Sequence, residues 1–139
     1  STKEHIYRAI VESTAYSTNL SIELLKKGGI EVKSAWACGG FTKSKFAMQL
    51  YADICGLRFY LPEVTQAVAL GSAITATVAA GIYKDLHEAA RQMVRSKAVI
   101  EPNEKMHEKY QFYYEIYKEL YHATKELLHK ISLHQLEAR

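Results

Sequence analysis

The segment with most chemical potential is AWACGGFTKSKF, residues 35–46. An apolar run that predicts a strand leads into Gly39 and Gly40, and a predicted helix starts within a few residues. Because glycines lack a Cβ, a ligand can approach the backbone closely there. Thr42 and Ser44 add hydroxyls near a helix N-terminus, where free N–H groups and the helix dipole favour polar or anionic ligands. The pattern fits a ligand site, but a glycine pair between a strand and a helix also serves as a plain tight turn.

Other patterns that would specify a chemistry are missing from the sequence. The segment is neither GxGxxG nor a Walker A sequence, so neither a dinucleotide-binding fold nor P-loop chemistry is supported. The histidines lack HExxH or related spacing, and Cys38 and Cys55 form no CxxC pair, so no metal site is predicted. The six histidines, most of which are expected on exposed helix faces, are His5, His87, His107, His122, His129 and His134.

Asp53, Glu63 and Cys38 are candidate reactive side chains for which a structural role is the favoured interpretation. Asp53, in YADICG, is predicted to accept hydrogen bonds from a nearby backbone or helix end, and Glu63 is likewise assigned to structure. Cys38 precedes the glycine pair, where a thiol could sense oxidation or alkylation. The preferred interpretation is an inert, buried strand residue.

The composition is that of one globular domain: 139 residues, 48% hydrophobic and 24% charged. The formal net charge of +3 arises from charges that alternate in sign along the chain, which argues against nucleic acid as a partner. The apolar runs are all shorter than the roughly 20 residues of a membrane helix, and no signal-peptide pattern is found. Two cysteines without metal-like spacing lead us to expect a reducing, cytoplasmic compartment.

The elements that position the glycine turn can be predicted from periodicity. A first helix is expected from Thr2 to Lys27, a short buried strand in IEVKSAWAC, a second helix from Lys43 to Cys55 and a second strand in LRFYLP. Two strands around a helix predict a parallel, right-handed βαβ unit. Since two strands are few for an independent sheet, we expect partner strands upstream in a longer protein or in another copy. The immediate opening into a helical pattern also indicates a piece of a longer protein.

Three more helices are predicted downstream. The first, residues 63–81, is rich in small side chains that let another element approach closely, and it is too short and too polar to span a membrane. A short helix is expected at 86–94, and AVIEP is a brief extended piece ending at Pro102. Asn103 is predicted to cap a last helix of about 25 residues, with a frayed tail after Ile131.

A tyrosine stripe on the last helix has two interpretations. Its members recur at helical spacing and are Tyr110, Tyr113, Tyr114, Tyr117 and Tyr121. Periodic aromatic stripes usually face a core, so packing within the domain is the favoured interpretation. Because tyrosine is enriched in interfaces, a homodimer or another interaction surface is the alternative, which a concentration-dependent mass in solution would support.

In its motifs and their order the chain resembles the C-terminal part of the FGGY family of carbohydrate kinases, which includes glycerol, xylulose, ribulose and gluconate kinases. The matching stretches are RAIVESTAY, ACGGFTKSKFAMQLYADICGL, YLPEVTQAVALGSAITATVAAGIYKDLHEAA and VIEPNEKMHEKYQFYYEIYKEL. The resemblance implies an α/β fold of the actin-like, ribonuclease H-like type. Residues 1–139 would form the C-terminal nucleotide-binding lobe, with a terminal helix and tail at 103–139.

The resemblance also implies site residues and a cofactor. Gly39 and Gly40 match the family's adenosine motif and would line the adenine and ribose, and Ser44 matches a position that often contacts the base. Phe41 stands where many members have a third small residue, and it would either stack near the nucleotide or pack against the lobe. The intact protein would transfer the γ-phosphoryl of ATP, with Mg²⁺, to a hydroxyl of a sugar, polyol or sugar acid.

What the family places upstream limits what this chain could do alone. The catalytic aspartate, the sugar-binding residues and the phosphate loops belong to that upstream part, so no catalytic or metal residue is assigned here. The helix containing Ala69, Gly71, Ser72 and Ala73 resembles the family's second connecting helix, which crosses the hinge to the N-terminal lobe. The lobe alone is expected to bind nucleotide weakly and to catalyse nothing. The alternative is a non-catalytic actin-like module that binds a nucleotide or a protein, and an upstream catalytic aspartate would favour the enzyme.

Overall fold

The computed structural model of the protein describes residues 2–137. The elements in chain order are α1 (Lys3–Lys27), β1 (Ser34–Trp36), α2 (Lys45–Cys55), β2 (Arg58–Pro62), α3 (Ala67–Ala79), α4 (Leu86–Met93), β3 (Ser96–Ile100) and α5 (Glu104–Glu137). A 3₁₀ turn, Gly40–Lys43, connects β1 to α2. Helices at both ends of the chain therefore enclose a small α/β centre.

The described strands form one sheet in the order β1-β2-β3. β1 and β2 are parallel, with Ala35 opposite Phe59, which confirms the predicted direction of the βαβ unit. β3 pairs antiparallel with β2 where the sequence predicts only a brief extended piece. Its apolar stretch is short, so pairing with β2 specifies this strand more than its own pattern does.

β1 is shorter and less buried than the sequence predicts. It ends at Trp36, which is 50% exposed, and Cys38 beyond it is also exposed. The prediction of a buried strand through Cys38 is therefore wrong. Successive side chains of a strand point to opposite faces of the sheet. Since Ala35 and Ala37 pack in the core beneath the sheet, Trp36 must face the other way.

α2 lies between the sheet and the two long helices. On one side it packs against β2 through Met48, Ala52 and Cys55, which meet Phe59 and Leu61. On its other side it packs against α1 and α5 through Ala47, Leu50 and Ile54. Two apolar faces on one helix make α2 the centre of the molecule, and they fix the position of the turn that precedes it.

Tyr16 of α1 organises the packing of α1 on α5. Its ring centre lies 5.5–6.4 Å from those of three tyrosines of α5, which are Tyr110, Tyr114 and Tyr117. Packing within the domain is thus confirmed for this part of the tyrosine stripe. Tyr113 and Tyr121, by contrast, are 56% and 54% exposed. The stripe divides because the helix turns its Tyr113 side away from α1.

Side-chain caps begin most of the helices. An oxygen of Thr2, Ser44, Asp85 or Asn103 accepts the backbone N–H three residues later, at the start of α1, α2, α4 and α5. The predicted cap at Asn103 is confirmed. α5 then continues through 34 residues to Glu137, so the prediction of a frayed tail after Ile131 is wrong for residues 132–137, while residues 138–139 lie outside the described part of the chain. Residues 132–137 contain neither glycine nor proline and continue the helix.

α3 packs against α4 and is otherwise open to solvent. Every residue of α3 is at least partly exposed, and Val68 is 86% exposed. The helix begins at Ala67, four residues after the predicted start at Glu63, and its N-cap residue Gln66 makes no side-chain cap. Among the described helices, none combines the length and the apolar character needed to cross a membrane.

Candidate functional site

The turn after β1 contains the glycine pair. Gly39 has φ 90° and ψ −176°, a conformation that glycine tolerates and other residues rarely adopt. Its carbonyl oxygen accepts two hydrogen bonds from Thr42, one from the backbone N–H at 3.2 Å and one from Oγ1 at 2.7 Å. The Thr42 hydroxyl, a candidate ligand group, therefore donates its proton within the turn and stabilises it.

The backbone of the glycine pair is open to an approaching molecule. A Cβ added to Gly39 or Gly40 would meet no atom of the described chain within 4 Å. Gly40, unlike Gly39, is not among the glycines with positive φ. Nothing within the described part of the chain thus requires a glycine at position 40.

Phe41 and Ser44 extend the turn into the start of α2. The Phe41 ring packs edge-on against Tyr51, with ring centres 5.1 Å apart and planes at 62°, and stays 40% exposed. Of the two predicted orientations, the ring adopts the one that packs against the lobe. Ser44 Oγ accepts the Ala47 N–H at 3.2 Å and caps α2. Its hydroxyl proton is still able to donate to a ligand.

A cavity of about 650 Å³ opens next to this turn. It lies on the face of the sheet away from α2, between the strand residues Trp36 and Pro62 and the helices α3 and α4. Cys38, immediately before the glycine pair, forms part of its wall, and Arg91 is its charged residue. The remaining wall is apolar, from Val64, Ala67, Leu70, Gly71, Ile74, Ala90 and Val94. A cavity of this size and character suits a small organic molecule.

Sequence reasoning did not find this cavity, because its walls come from four elements that are distant in the chain. None of Gly39, Gly40, Phe41 and Ser44 is among its wall residues. The four predicted residues instead lie together along the adjoining turn and the first turn of α2. The signal that could have indicated the cavity is the small-residue character of α3, which leaves space above the sheet.

The structural role predicted for Asp53 is confirmed. This carboxylate is buried, and its Oδ1 accepts the Asn103 N–H at 2.8 Å and the Gln49 amide at 2.8 Å. Asp53 therefore joins α2 to the start of α5. His107 completes the joint, since its Nδ1 donates to the Asp53 carbonyl oxygen at 2.8 Å. It fits there because Gly56 lacks a side chain: an added Cβ would lie 2.5 Å from the His107 ring.

The other candidate side chains lie apart from one another. Glu63 is exposed, and it is its backbone N–H that bonds, to the Arg95 carbonyl at 2.9 Å. Cys38 and Cys55 are both free thiols, the first exposed and the second buried. All histidines except His107 are exposed, as predicted for most of them. Within residues 2–137, no three or more His, Cys, Asp or Glu side chains are arranged to hold a metal ion.

The chain is similar to carbohydrate kinases over most of its length. The sequence profile of the FGGY family of carbohydrate kinases, C-terminal domain, matches residues 1–80. The ribulokinase of Mycolicibacterium smegmatis is 41% identical over 87 residues, which cover 63% of this chain and 16% of that protein. The xylulose kinase of Staphylococcus epidermidis is 32% identical over 126 residues, which cover 91% of this chain and 25% of that protein.

A solved structure shows the same similarity in three dimensions. The crystal structure of Plasmodium falciparum glycerol kinase with ADP superposes with a TM-score of 0.68 and 28% identity, over 83% of this chain and 24% of that one. The chain thus spans a quarter or less of the length of each of these three relatives. Its small sheet with flanking helices is the C-terminal part of their actin-like α/β fold. The chain belongs to the FGGY family of carbohydrate kinases and corresponds to the C-terminal domain of those enzymes.

Proposed function

We propose that the intact protein transfers the γ-phosphoryl of ATP to a hydroxyl of a sugar, polyol or sugar acid, and that this chain supplies the adenosine side of the site. The observation that carries the proposal is the open backbone at Gly39 and Gly40. Position 40 needs no glycine for its own conformation or packing, so its lack of a side chain is explained by a ligand that approaches the backbone. The similar glycerol kinase crystallised with ADP supports an adenine nucleotide as that ligand.

Each residue of the turn has a distinct part in this proposal. Gly39 and Gly40 present bare backbone to the adenine and ribose. Ser44 has already accepted the capping hydrogen bond, so its hydroxyl would act as a donor to the base. Phe41 forms a wall of the slot without covering it, because its ring packs on Tyr51. These contacts would position the nucleotide and take no part in bond making.

Phosphoryl transfer needs groups that this chain does not present together. The transferred group must lie in line with the acceptor hydroxyl while its charge is stabilised, and Mg²⁺ supplies much of that stabilisation. We place the Mg²⁺ ligands, the catalytic base and the sugar-binding residues in the N-terminal lobe of the same protein. The exposed, small-residue surface of α3 would face that lobe, so that closure aligns the two substrates and excludes water.

We further place the protein in the cytoplasm, where both cysteines would remain the free thiols that the structure shows. A non-catalytic module of the same fold is the alternative function. It would keep the glycine turn and lack transfer to every acceptor.

Gly40→Ala in the intact protein tests the adenosine site. Because the new methyl group meets no atom of the described chain, the variant should unfold at the same temperature as the wild type. We expect calorimetry to show ADP binding in Mg²⁺ buffer weakened by about tenfold or more, equal to about 1.4 kcal/mol. Binding of sugar alone should not change. Unchanged ADP affinity would remove the glycine pair from the site.

A transfer assay tests the activity itself. The intact protein is supplied with Mg-ATP and a panel of ketopentoses, polyols and sugar acids, and formation of ADP is followed. Transfer to at least one acceptor is expected, with GTP as the comparison nucleotide. No transfer across the panel, together with normal ADP binding, would favour the non-catalytic module.

A further inference from the structure

A second cavity, of about 300 Å³, lies where α1, α2 and α5 meet, and it differs in character from the cavity beside the glycine turn. Polar side chains dominate its wall, among them Asn19, Lys26 and Gln111. The two cavities share no wall residue, and they lie on opposite faces of the sheet. None of Gly39, Gly40, Phe41 and Ser44 is a wall residue of this second cavity.

Asn19 is the unusual member of the wall. The residue is only 9% exposed, and its neighbours along the same face of α1 are core residues such as Ala15, Tyr16 and Ile22. Its carboxamide has no hydrogen-bond partner within residues 2–137, yet none of its atoms is sealed from solvent. The amide therefore reaches the cavity. Because the amide is accessible from the cavity, its hydrogen bonds go to whatever fills the cavity, a water molecule or a ligand.

Lys26 supplies a free cation to the same cavity. It lies seven residues after Asn19, which places both on one face of α1, and lysine side chains of a helix lean towards its N-terminus. No carboxylate of the described chain lies within ion-pair distance of its ammonium, whereas Lys27 and Lys118 both have such partners. Burial raises the pKa of the Cys55 thiol in the cavity wall to about 12, and the Lys26 charge opposes that rise. Lys26, an exposed residue, thus contributes an ammonium without a carboxylate partner to the wall of the cavity.

The carboxylates near the cavity are already neutralised. Glu23 accepts the Tyr114 hydroxyl at 2.6 Å and pairs with Lys27 at 2.9 Å, and Glu115 pairs with Lys118 at 2.9 Å. Within the wall itself the charges balance, with Lys26 and Lys118 against Glu23 and Glu115. Both carboxylates nevertheless pair with a lysine other than Lys26, so the Lys26 ammonium has no ion-pair partner in the described chain. The wall therefore contains the Asn19 amide, which has no hydrogen-bond partner in the described chain, and the Lys26 ammonium, which has no ion-pair partner there. The two residues lie about two helical turns apart on α1.

We propose that this cavity binds a small anion, a carboxylate or a phosphate, held by the Lys26 ammonium and the Asn19 amide. The Lys26 ammonium, which has no carboxylate partner, attracts the negative charge, and the amide nitrogen donates to an oxygen of the anion. A partly open volume of about 300 Å³ suits a few-atom anion and is small for a nucleotide. This site is independent of the proposed nucleotide turn. A water molecule that bonds to Asn19 is the competing occupant, and it would not depend on Lys26.

Thermal unfolding of the intact protein in sodium phosphate and in sodium chloride of equal ionic strength tests the site. A ligand that binds only the folded state raises the unfolding temperature as its concentration exceeds the dissociation constant. We expect phosphate to raise it beyond chloride in the wild type and in Lys97→Met, a matched control on β3. Lys26→Met should lose that increment. Gly40→Ala should keep it, which separates this cavity from the nucleotide turn.

Three results would overturn the proposal. Phosphate could stabilise the wild type no more than chloride does, Lys26→Met could keep the whole increment, or Gly40→Ala could lose it. Acetate, run in the same series, distinguishes the two anion classes, since a carboxylate site responds to acetate as well. The side-chain amide resonances of Asn19 should shift with phosphate in saturable fashion, and a saturable shift that persists in Lys26→Met would identify water or another group as the partner.

Discussion

α2 and α3 are apolar helices of similar length that differ in how much of their surface is buried. α2 has 11 residues and buries seven of them, between the sheet on one side and α1 and α5 on the other. α3 has 13 residues, and each of them keeps contact with solvent in the described chain. Apolar composition therefore indicates burial in a complete protein and not necessarily in one piece of it. α2 contributes most of the buried contacts described here, whereas α3 leaves an apolar surface exposed, which we propose faces the N-terminal lobe.

The largest effect is expected when the same side chain, an isoleucine, is shortened to alanine in each helix. Ile54 of α2 is fully buried, so Ile54→Ala should destabilise the chain by about 2–5 kcal/mol in urea unfolding. Ile74 of α3 is only partly buried and lines an open cavity, so Ile74→Ala should cost less than about 1 kcal/mol. An equal loss of unfolding free energy in the two variants would contradict the conclusion that α2 stabilises the chain and that α3 is an exposed surface.

A smaller test addresses the contact between α1 and α5 beside α2. The buried Tyr114 hydroxyl donates to Glu23 at 2.6 Å, and that bond, with the one from Lys27, lowers the pKa of Glu23 to about 2. Tyr114→Phe should cost about 1–2 kcal/mol at pH 7, since the bond involves a charged but partly exposed group. Tyr113→Phe on the exposed side is the matched control and should change nothing measurable.

The same pair predicts a pH dependence with a definite sign. The pKa of Glu23 is lower in the folded chain than its unfolded value near 4.3, so its contribution is complete above that value. It is lost as the pH falls from there towards 2. The unfolding free energy of the wild type should therefore drop more steeply over this window than that of Tyr114→Phe. Parallel curves would show that the hydrogen bond is absent in solution.

Local features of this fold could be predicted from the sequence. The cap at Asn103 was predicted from residue type next to an apolar period, and the parallel pairing of β1 with β2 from the strand–helix–strand order. Thr2 and Ser44 also cap helices, and both are residue types that favour this position, although neither was predicted to be a cap. The structural role of Asp53 was also predictable, because a carboxylate inside an apolar helix needs a donor nearby. These are short-range consequences of the chain.

Features that depend on distant neighbours were missed. β3 forms because it pairs with the free edge of β2. Cys38 is exposed because its strand ends at Trp36. Only the tyrosines on the side of α5 that faces α1 are packed. The glycine turn lies where the sequence places it, but the cavity beside it is assembled from α3, α4 and two strands. The position of the Asn19 amide in the second cavity could not be predicted from the sequence either, because the wall of that cavity comes from three helices.

The smallest predicted change in unfolding free energy is that of a substitution on the exposed surface of α3. Its size should differ between the isolated chain and the intact protein. Val68 of α3 is 86% exposed, so Val68→Ser should alter the unfolding free energy of the isolated chain by no more than about 0.5 kcal/mol. In the intact protein the same variant should cost more and should also weaken phosphoryl transfer, because we place this surface of α3 against the N-terminal lobe. Urea unfolding and the transfer assay, run on both forms, measure the difference. Val99→Ser on β3, 44% exposed, provides the control for the chemical change itself. If Val68→Ser is neutral in both forms, α3 does not face the other lobe, and its exposed apolar surface must serve a contact that the kinase architecture does not supply.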